Sequence, residues 1–136
     1  MSVDAISKVV DDMFVAFSRG DVDGFVKAIA VDVIYEENTE AEPIRGRVAF
    51  KDYVSEWINA SSDRRLTPVR KLINSNEAVI ELHFEATHDK GELYELEPTG
   101  KSMVFDYVLW LNFDEGEIRH MKAFYNPLIP MGQIGG

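Results

Sequence analysis

The chain has 136 residues, of which 46% are hydrophobic and 28% charged, so it fits one globular domain with a single core. It has no cysteine, which excludes disulfides, thiolate zinc sites and a thiol nucleophile, and which fits a reducing compartment. Twenty-four acidic and fourteen basic residues give a net charge of −10, which disfavours binding to nucleic acid and to anionic membrane surfaces.

The chain shows no internal linker or repeat, so we expect one domain over residues 1–136. No apolar segment approaches the roughly 20 residues of a membrane span. The N-terminal segment lacks the basic and apolar regions of a signal peptide. These features predict a cytoplasmic protein.

Apolar residues at helical spacing predict three helices in the first half of the chain. The first covers residues 6–17, the second is shorter and covers 22–29, and the third runs from about 47 to 59. Between the second and third helices, the β-branched segment 31–35 predicts a strand.

From residue 66 onward the pattern changes to strands. Alternating segments predict strands at 66–73, 78–88, 102–113 and 117–125, separated by polar and glycine-containing turns. Helices followed by a meander of strands predict an α+β domain in which the helices cover one face of a curved antiparallel sheet. The segment 127–136 is expected to be a flexible tail or to cap a pocket.

The predicted strand at 102–113 is apolar on both of its faces. One face carries Val104, Asp106, Val108 and Trp110, and the other carries Met103, Phe105, Tyr107, Leu109 and Leu111. Such a strand is expected to be covered by helices on one side and by a second subunit on the other. We therefore predict a homodimer that forms through the sheet.

Four glutamates lie between Tyr35 and Gly46, where the first strand runs into a loop. The apolar residues before them would carry at least one carboxyl group toward the interior. Low polarity there favours the protonated form and can turn a carboxylate into an effective base. Most glutamates in such a segment are simply solvated, so the pattern alone does not select one of them.

The layout and four short motifs resemble the nuclear transport factor 2 superfamily, and within it the branch of ketosteroid isomerase and SnoaL-type polyketide cyclases. The motifs are Arg19-Gly20-Asp21, Glu36-Glu37, the segment 42–46 (Glu-Pro-Ile-Arg-Gly) and the segment 116–125 at the end of the last strand. The resemblance implies a cone-shaped α+β barrel, also called cystatin-like, with three N-terminal helices packed on a curved antiparallel sheet. It also implies a pocket for a small apolar molecule.

Matched position by position, the isomerase pattern places its catalytic carboxylate base at Glu37, nine residues before Gly46. The same matching places the two hydrogen-bond donors of the isomerase at Met13 and Val108. Neither side chain can donate a hydrogen bond to a developing enolate. These departures argue against steroid isomerisation by the family mechanism.

Asp106 and His88 are the candidates to replace the missing donors. Asp106 shares a strand face with Val108 and lies among apolar residues, where it requires protonation or a partner such as His88. An Asp–His pair there would serve either as the second half of an acid/base system or as a structural hydrogen-bonded pair. His88 ends an apolar strand face, so it is alternatively an ordinary strand-end residue.

Eight further side chains are expected to line the pocket, although aromatic residues more often fill a core than contact a ligand. These are Met13, Tyr53, Trp57, Phe84, Val108, Trp110, Met121 and Tyr125. The histidine spacing does not fit a metal site, and there is no phosphate-binding loop, nucleophile elbow or nucleotide motif. We expect neither a metal nor a cofactor.

The leading hypothesis is a cofactor-independent isomerase, cyclase or lyase that acts on a small apolar cyclic or polyketide-like carbonyl compound. Glu37 would be the base, and Asp106 and His88 would polarise or reprotonate the substrate. The main alternative is a non-catalytic module of the same fold that binds a ligand or a protein. A hydrolase that activates water between carboxylates ranks last, because no arginine lies on the strand that carries Asp106.

Overall fold

The computed structural model describes residues 1–136, which form four helices and one six-stranded sheet. The helices are α1 (Val3–Arg19), α2 (Val22–Val26), α3 (Arg47–Asn59) and α4 (Leu128–Gly135). The strands are β1 (Ile29–Glu37), β2 (Ile44–Arg45), β3 (Arg65–Ile73), β4 (Glu77–Thr87), β5 (Ser102–Asp114) and β6 (Glu117–Phe124). None of the helices combines the length and the apolarity needed to cross a lipid bilayer.

The first helix has clear start and stop signals. The side chain of Ser2 accepts a hydrogen bond from the backbone N–H of Ala5 at 3.1 Å, and Gly20 ends the helix in the left-handed conformation, with φ of 78°. The apolar face of α1 packs on β3, while α3 packs on β1. The three predicted N-terminal helices are confirmed, although α2 is shorter than expected because β1 already begins at Ile29.

The strand order across the sheet is β2-β1-β6-β5-β4-β3. All neighbouring pairs are antiparallel except β1 and β6, which run parallel. Register shifts in the β3–β4 and β5–β6 pairs are irregularities of the kind that bend a sheet. The α+β class is confirmed, but the sheet is mixed instead of purely antiparallel and does not close into a barrel.

The two faces of β5 differ sharply in burial. Phe105 and Leu109 are buried on the concave face, toward the helices, whereas Val104 and Trp110 are exposed on the convex face. Asp106 lies on the convex face with a side chain that is 65% exposed. The expected interior position of Asp106 is therefore wrong, because the helices cover the opposite face of the strand.

The C-terminal segment forms α4 and packs on β5. Ile134 is buried, and the side chain of Gln133 both accepts from the backbone N–H of Val104 at 2.9 Å and donates to its carbonyl at 2.8 Å. Since β6 pairs with β5 only from Val108 onward, Gln133 satisfies backbone groups of β5 that no strand covers on that side.

Candidate functional site

A cavity of about 70 Å³ lies between the helices and the concave face of the sheet. Its wall is almost entirely apolar, and Glu37 supplies its only carboxyl group. The lining residues are Phe17, Phe25, Tyr35, Glu37, Phe50, Tyr53, Val54, Trp57, Phe84, Phe105, Tyr107, Leu109, Met121, Ala123 and Tyr125. A single acidic group among aromatic walls is the usual composition of a small-molecule site.

Glu37 is the last residue of β1 and pairs with Ala123 of β6. Strand alternation points it to the same face as Tyr35, two residues earlier, and points Glu36 to the opposite face, where Glu36 contacts Nε2 of His120 at 2.5 Å. Glu37 is only 9% exposed. Of the two neighbouring glutamates, only Glu37 therefore has its carboxyl group inside the protein.

Two tyrosines hold one oxygen of this carboxyl group. The hydroxyl of Tyr35 donates to Oε1 of Glu37 at 2.8 Å, and the hydroxyl of Tyr53 donates to the same Oε1. Trp57 extends the network, because its indole N–H donates to the Tyr53 hydroxyl at 3.3 Å. Oε2 accepts no hydrogen bond from the protein and retains accessible surface. The carboxyl group is thus fixed through one oxygen and open at the other.

The phenols around Glu37 stay protonated and act as donors. Burial raises the pKa of Tyr53 well above its ordinary value, and the charge of Glu37 adds to this effect. Burial also raises the pKa of Tyr35, with further contributions from Tyr53 and Glu37. A phenol that keeps its proton can donate to a carboxylate at every physiological pH.

Tyr107 differs from the other two tyrosines because its hydroxyl makes no hydrogen bond within the protein. Its ring lies on the concave face of β5, near Tyr125 at a centroid distance of 6.4 Å. The hydroxyl retains accessible surface, and burial, followed by the charge of Glu37, raises the pKa of Tyr107. Tyr107 therefore offers a protonated, uncommitted donor to the cavity.

The entrance of the cavity lies where its lining residues are only half-buried, around Trp57 and Tyr125. Tyr94, from the loop between β4 and β5, packs its ring against Trp57 at 5.7 Å and brings its hydroxyl to 3.4 Å from that of Tyr125. His88 holds this loop in place. Its Nε2 lies 2.7 Å from the carbonyl of Gly91, and the ring is 0% exposed.

The structure brings five of the eight predicted lining residues to the cavity: Tyr53, Trp57, Phe84, Met121 and Tyr125. Met13 is buried in the core away from the cavity wall. Val108 and Trp110 lie on the convex face of β5, where the indole N–H of Trp110 donates to Glu77 at 3.0 Å. These three positions were assigned to the pocket wrongly, since Met13 packs elsewhere and the cavity touches only the concave side of β5.

Glu37, Asp106 and His88 do not converge on one cavity. His88 does not contact Asp106. The partner of Asp106 is His83, whose Nδ1 lies 2.6 Å away on the convex face. His88 instead bonds to its own loop, through Gly91 and Thr99. Of these three residues, only Glu37 lines the cavity.

Sequence reasoning missed Tyr35 and Tyr107 as site residues. The position of Tyr35, two residues before Glu37 on the same strand, is a signal that could have found it. Tyr107 shares its strand face with Phe105 and Leu109, and it directly precedes Val108, the position matched to an isomerase donor. Choosing the correct face of β5 would have identified it.

A sequence model of the SnoaL-like polyketide cyclase family matches residues 8–134. The chain belongs to the SnoaL-like polyketide cyclase family. No curated protein sequence matches the chain significantly.

Several solved structures share the fold of this chain. AclR from Streptomyces galilaeus, a candidate hydroxylase, is 18% identical with a TM-score of 0.85, and the match covers 98% of each chain. A candidate SnoaL-like polyketide cyclase from Jannaschia sp. CCS1 is 12% identical with a TM-score of 0.87, covering 98% of this chain and 93% of that one. TsrD from Streptomyces laurentii is 15% identical with a TM-score of 0.84, and the match covers 99% of this chain and 98% of TsrD. At these identities the likeness establishes the fold alone.

Proposed function

We propose that this SnoaL-like protein binds a small apolar carbonyl compound of the cyclic or polyketide type and removes a proton from the carbon next to the carbonyl. The reaction would be a cofactor-independent isomerisation or cyclisation. The observation that carries this proposal is the state of Glu37, which lines the aromatic cavity: Oε1 is held by two phenols, while Oε2 accepts no hydrogen bond from the protein. A base needs such fixed orientation and an open oxygen.

In this mechanism Oε2 of Glu37 takes the proton from the carbon, and the bonding electrons pass to the carbonyl oxygen as an enolate. The hydroxyl of Tyr107 donates a hydrogen bond to that oxygen, in place of the donors missing at Met13 and Val108. The protonated Glu37 then returns the proton to another carbon of the substrate. In a cyclisation, the enolate carbon instead attacks a second carbonyl, and the alkoxide oxygen formed there takes the proton back from Glu37. The other lining residues carry no carboxyl, amine or imidazole group that would compete for the proton.

The size of the cavity limits what it can enclose. Its volume of about 70 Å³ is roughly half of the 150 Å³ of an engineered cavity that takes benzene. A polycyclic substrate would therefore place only its reacting end beside Glu37. The rest of such a molecule would lie at the entrance, near Trp57 and Tyr125.

Proton abstraction is tested by following deuterium uptake from heavy water into small ketones, such as cyclohexanone and 2-tetralone, by NMR. We expect catalysed exchange to fall by about 10²- to 10⁴-fold in Glu37→Gln, the usual contribution of a general base. We expect a fall of about 10²-fold in Tyr107→Phe, the effect of losing one donor to the oxyanion. Glu56→Gln is the matched control, because Glu56 is exposed on α3 next to Trp57 and outside the cavity wall.

Exchange that survives in Glu37→Gln would contradict the proposed role of this residue. If none of the ketones shows catalysed exchange but a ligand binds measurably, the alternative of a non-catalytic binding module would be favoured. One observation supports this alternative: apart from phenols, the cavity has one carboxyl group and no second ionisable group to act as its acid/base partner.

A further inference from the structure

The cavity around Glu37 contains no positive charge. No lysine, arginine or histidine is among the fifteen lining residues. The carboxyl group receives two hydrogen bonds, both at Oε1, and none at Oε2. A buried carboxylate is stabilised by an opposite charge or by a full set of donors. In Glu37 only Oε1 has partners in the protein, so a ligand can supply the partner of Oε2.

The walls of the cavity favour the same sign of charge. Ten of the fifteen lining residues are aromatic, including Tyr53, Trp57 and Tyr107. The face of an aromatic ring carries negative partial charge and attracts cations, and groups of such rings recognise quaternary and methylated ammonium groups. The aromatic walls and the carboxylate therefore both favour a bound cation.

Size and overall charge point in the same direction. A cavity of about 70 Å³ can enclose a group of a few heavy atoms, given that roughly 150 Å³ accommodates benzene. The net charge of −10 attracts cations toward the molecule at low ionic strength. The cavity thus has the negative charge, the aromatic walls and the volume that suit a methylated ammonium group.

We infer that this cavity binds small organic ammonium ions in preference to neutral or anionic molecules of the same shape. Oε2 of Glu37 is the counter-ion, and the surrounding rings contact the methyl groups. This inference concerns the charge of the ligand and does not require the site to be catalytic. It holds independently of the proton abstraction proposed above.

Three probes that each carry three methyl groups on one central atom separate charge from shape. They are trimethylammonium, tert-butanol and pivalate, which are respectively a cation, a neutral molecule and an anion. Binding is followed by tryptophan fluorescence in a Trp110→Phe background, so that Trp57 in the cavity wall is the only reporter. Sodium chloride keeps the ionic strength constant, because nonspecific attraction to the acidic surface is screened by salt.

We expect trimethylammonium to bind at least tenfold more tightly than tert-butanol, and pivalate not to bind. Glu37→Gln should remove the preference for the cation, whereas Glu56→Gln, the same change outside the cavity, should retain it. Equal affinities for the cation and the neutral probe would overturn the inference, as would a preference that persists in Glu37→Gln. If Glu37→Gln fails to fold, the comparison of the three probes on the Trp110→Phe protein decides the matter alone.

The result is separable from the test of proton abstraction. Selective ammonium binding without deuterium exchange would support this inference and contradict the proposed chemistry. Deuterium exchange without a preference for the ammonium ion would support the proposed proton abstraction and contradict this inference. Neither readout depends on the other, because one measures affinity and the other measures a rate.

Discussion

Two carboxylates on opposite faces of the sheet, Glu37 and Asp106, have very different surroundings. Glu37 is 9% exposed and bonds to two phenols on the concave face. The side chain of Asp106 is 65% exposed and contacts His83 at 2.6 Å on the convex face. By residue type, the Asp–His contact looks more like catalytic machinery than a carboxylate among tyrosines does.

Exposure to solvent leads to the opposite conclusion about which carboxylate is better suited to chemistry. Exposed ion pairs are screened by water and contribute little, whereas hydrogen bonds in a dry site are strong and hold their geometry. The concave face therefore has the better environment for chemistry, although it carries fewer charged groups. Location within the fold, and not residue type, distinguishes the two carboxylates.

The largest expected difference between the two faces concerns packing. Leu82 of β4 is 0% exposed on the concave face, and Leu72 of β3 is 76% exposed. We expect Leu82→Ala to lower the free energy of unfolding by about 2 to 5 kcal/mol, and Leu72→Ala to change it by no more than about 0.5 kcal/mol. Chemical denaturation measures both. A comparable cost for Leu72→Ala would mean that Leu72 is covered in solution, as in the homodimer that the sequence predicts.

An intermediate effect is expected within the concave face itself. Tyr53→Phe removes a donor from Glu37, and hydrogen bonds to charged groups contribute about 1.5 to 3 kcal/mol. Tyr107→Phe removes a hydroxyl that has no partner in the protein, so the free energy of unfolding should change by less than about 0.5 kcal/mol. Denaturant titrations of the two variants at neutral pH make the comparison. Equal costs would show that the Tyr53–Glu37 bond does not stabilise the fold.

The smallest effect is expected on the convex face and depends on pH. The carboxylates of Glu85 and Asp106 raise the pKa of His83 above its ordinary value. The stabilisation from protonated His83 is thus complete below a pH of about 6.5 and is lost as the pH rises through the raised pKa. We expect His83→Gln to lower the melting temperature slightly at pH 5.5 and not at pH 9. An equal change at both values would contradict this account.

Much of the fold was predictable because it rests on local signals. Helical spacing predicted α1, and strand alternation correctly separated the two faces of β5. What local signals could not tell was which face of β5 points inward, because both faces carry apolar residues. Because the wrong face of β5 was predicted to point inward, Asp106 and Trp110 were assigned to the pocket and Tyr107 was not.

The sequence by itself determined the α+β class, the three N-terminal helices and the candidacy of Glu37, since residue spacing and motif likeness are local properties of the chain. Only the tertiary structure decided that β6 lies parallel to β1, which places Ala123 beside Glu37 across 86 residues. It also decided that Tyr35 and Tyr53 meet at one oxygen of Glu37 while Tyr107 stays uncommitted. These contacts join distant segments, and their geometry depends on how the whole sheet bends and which face the helices cover.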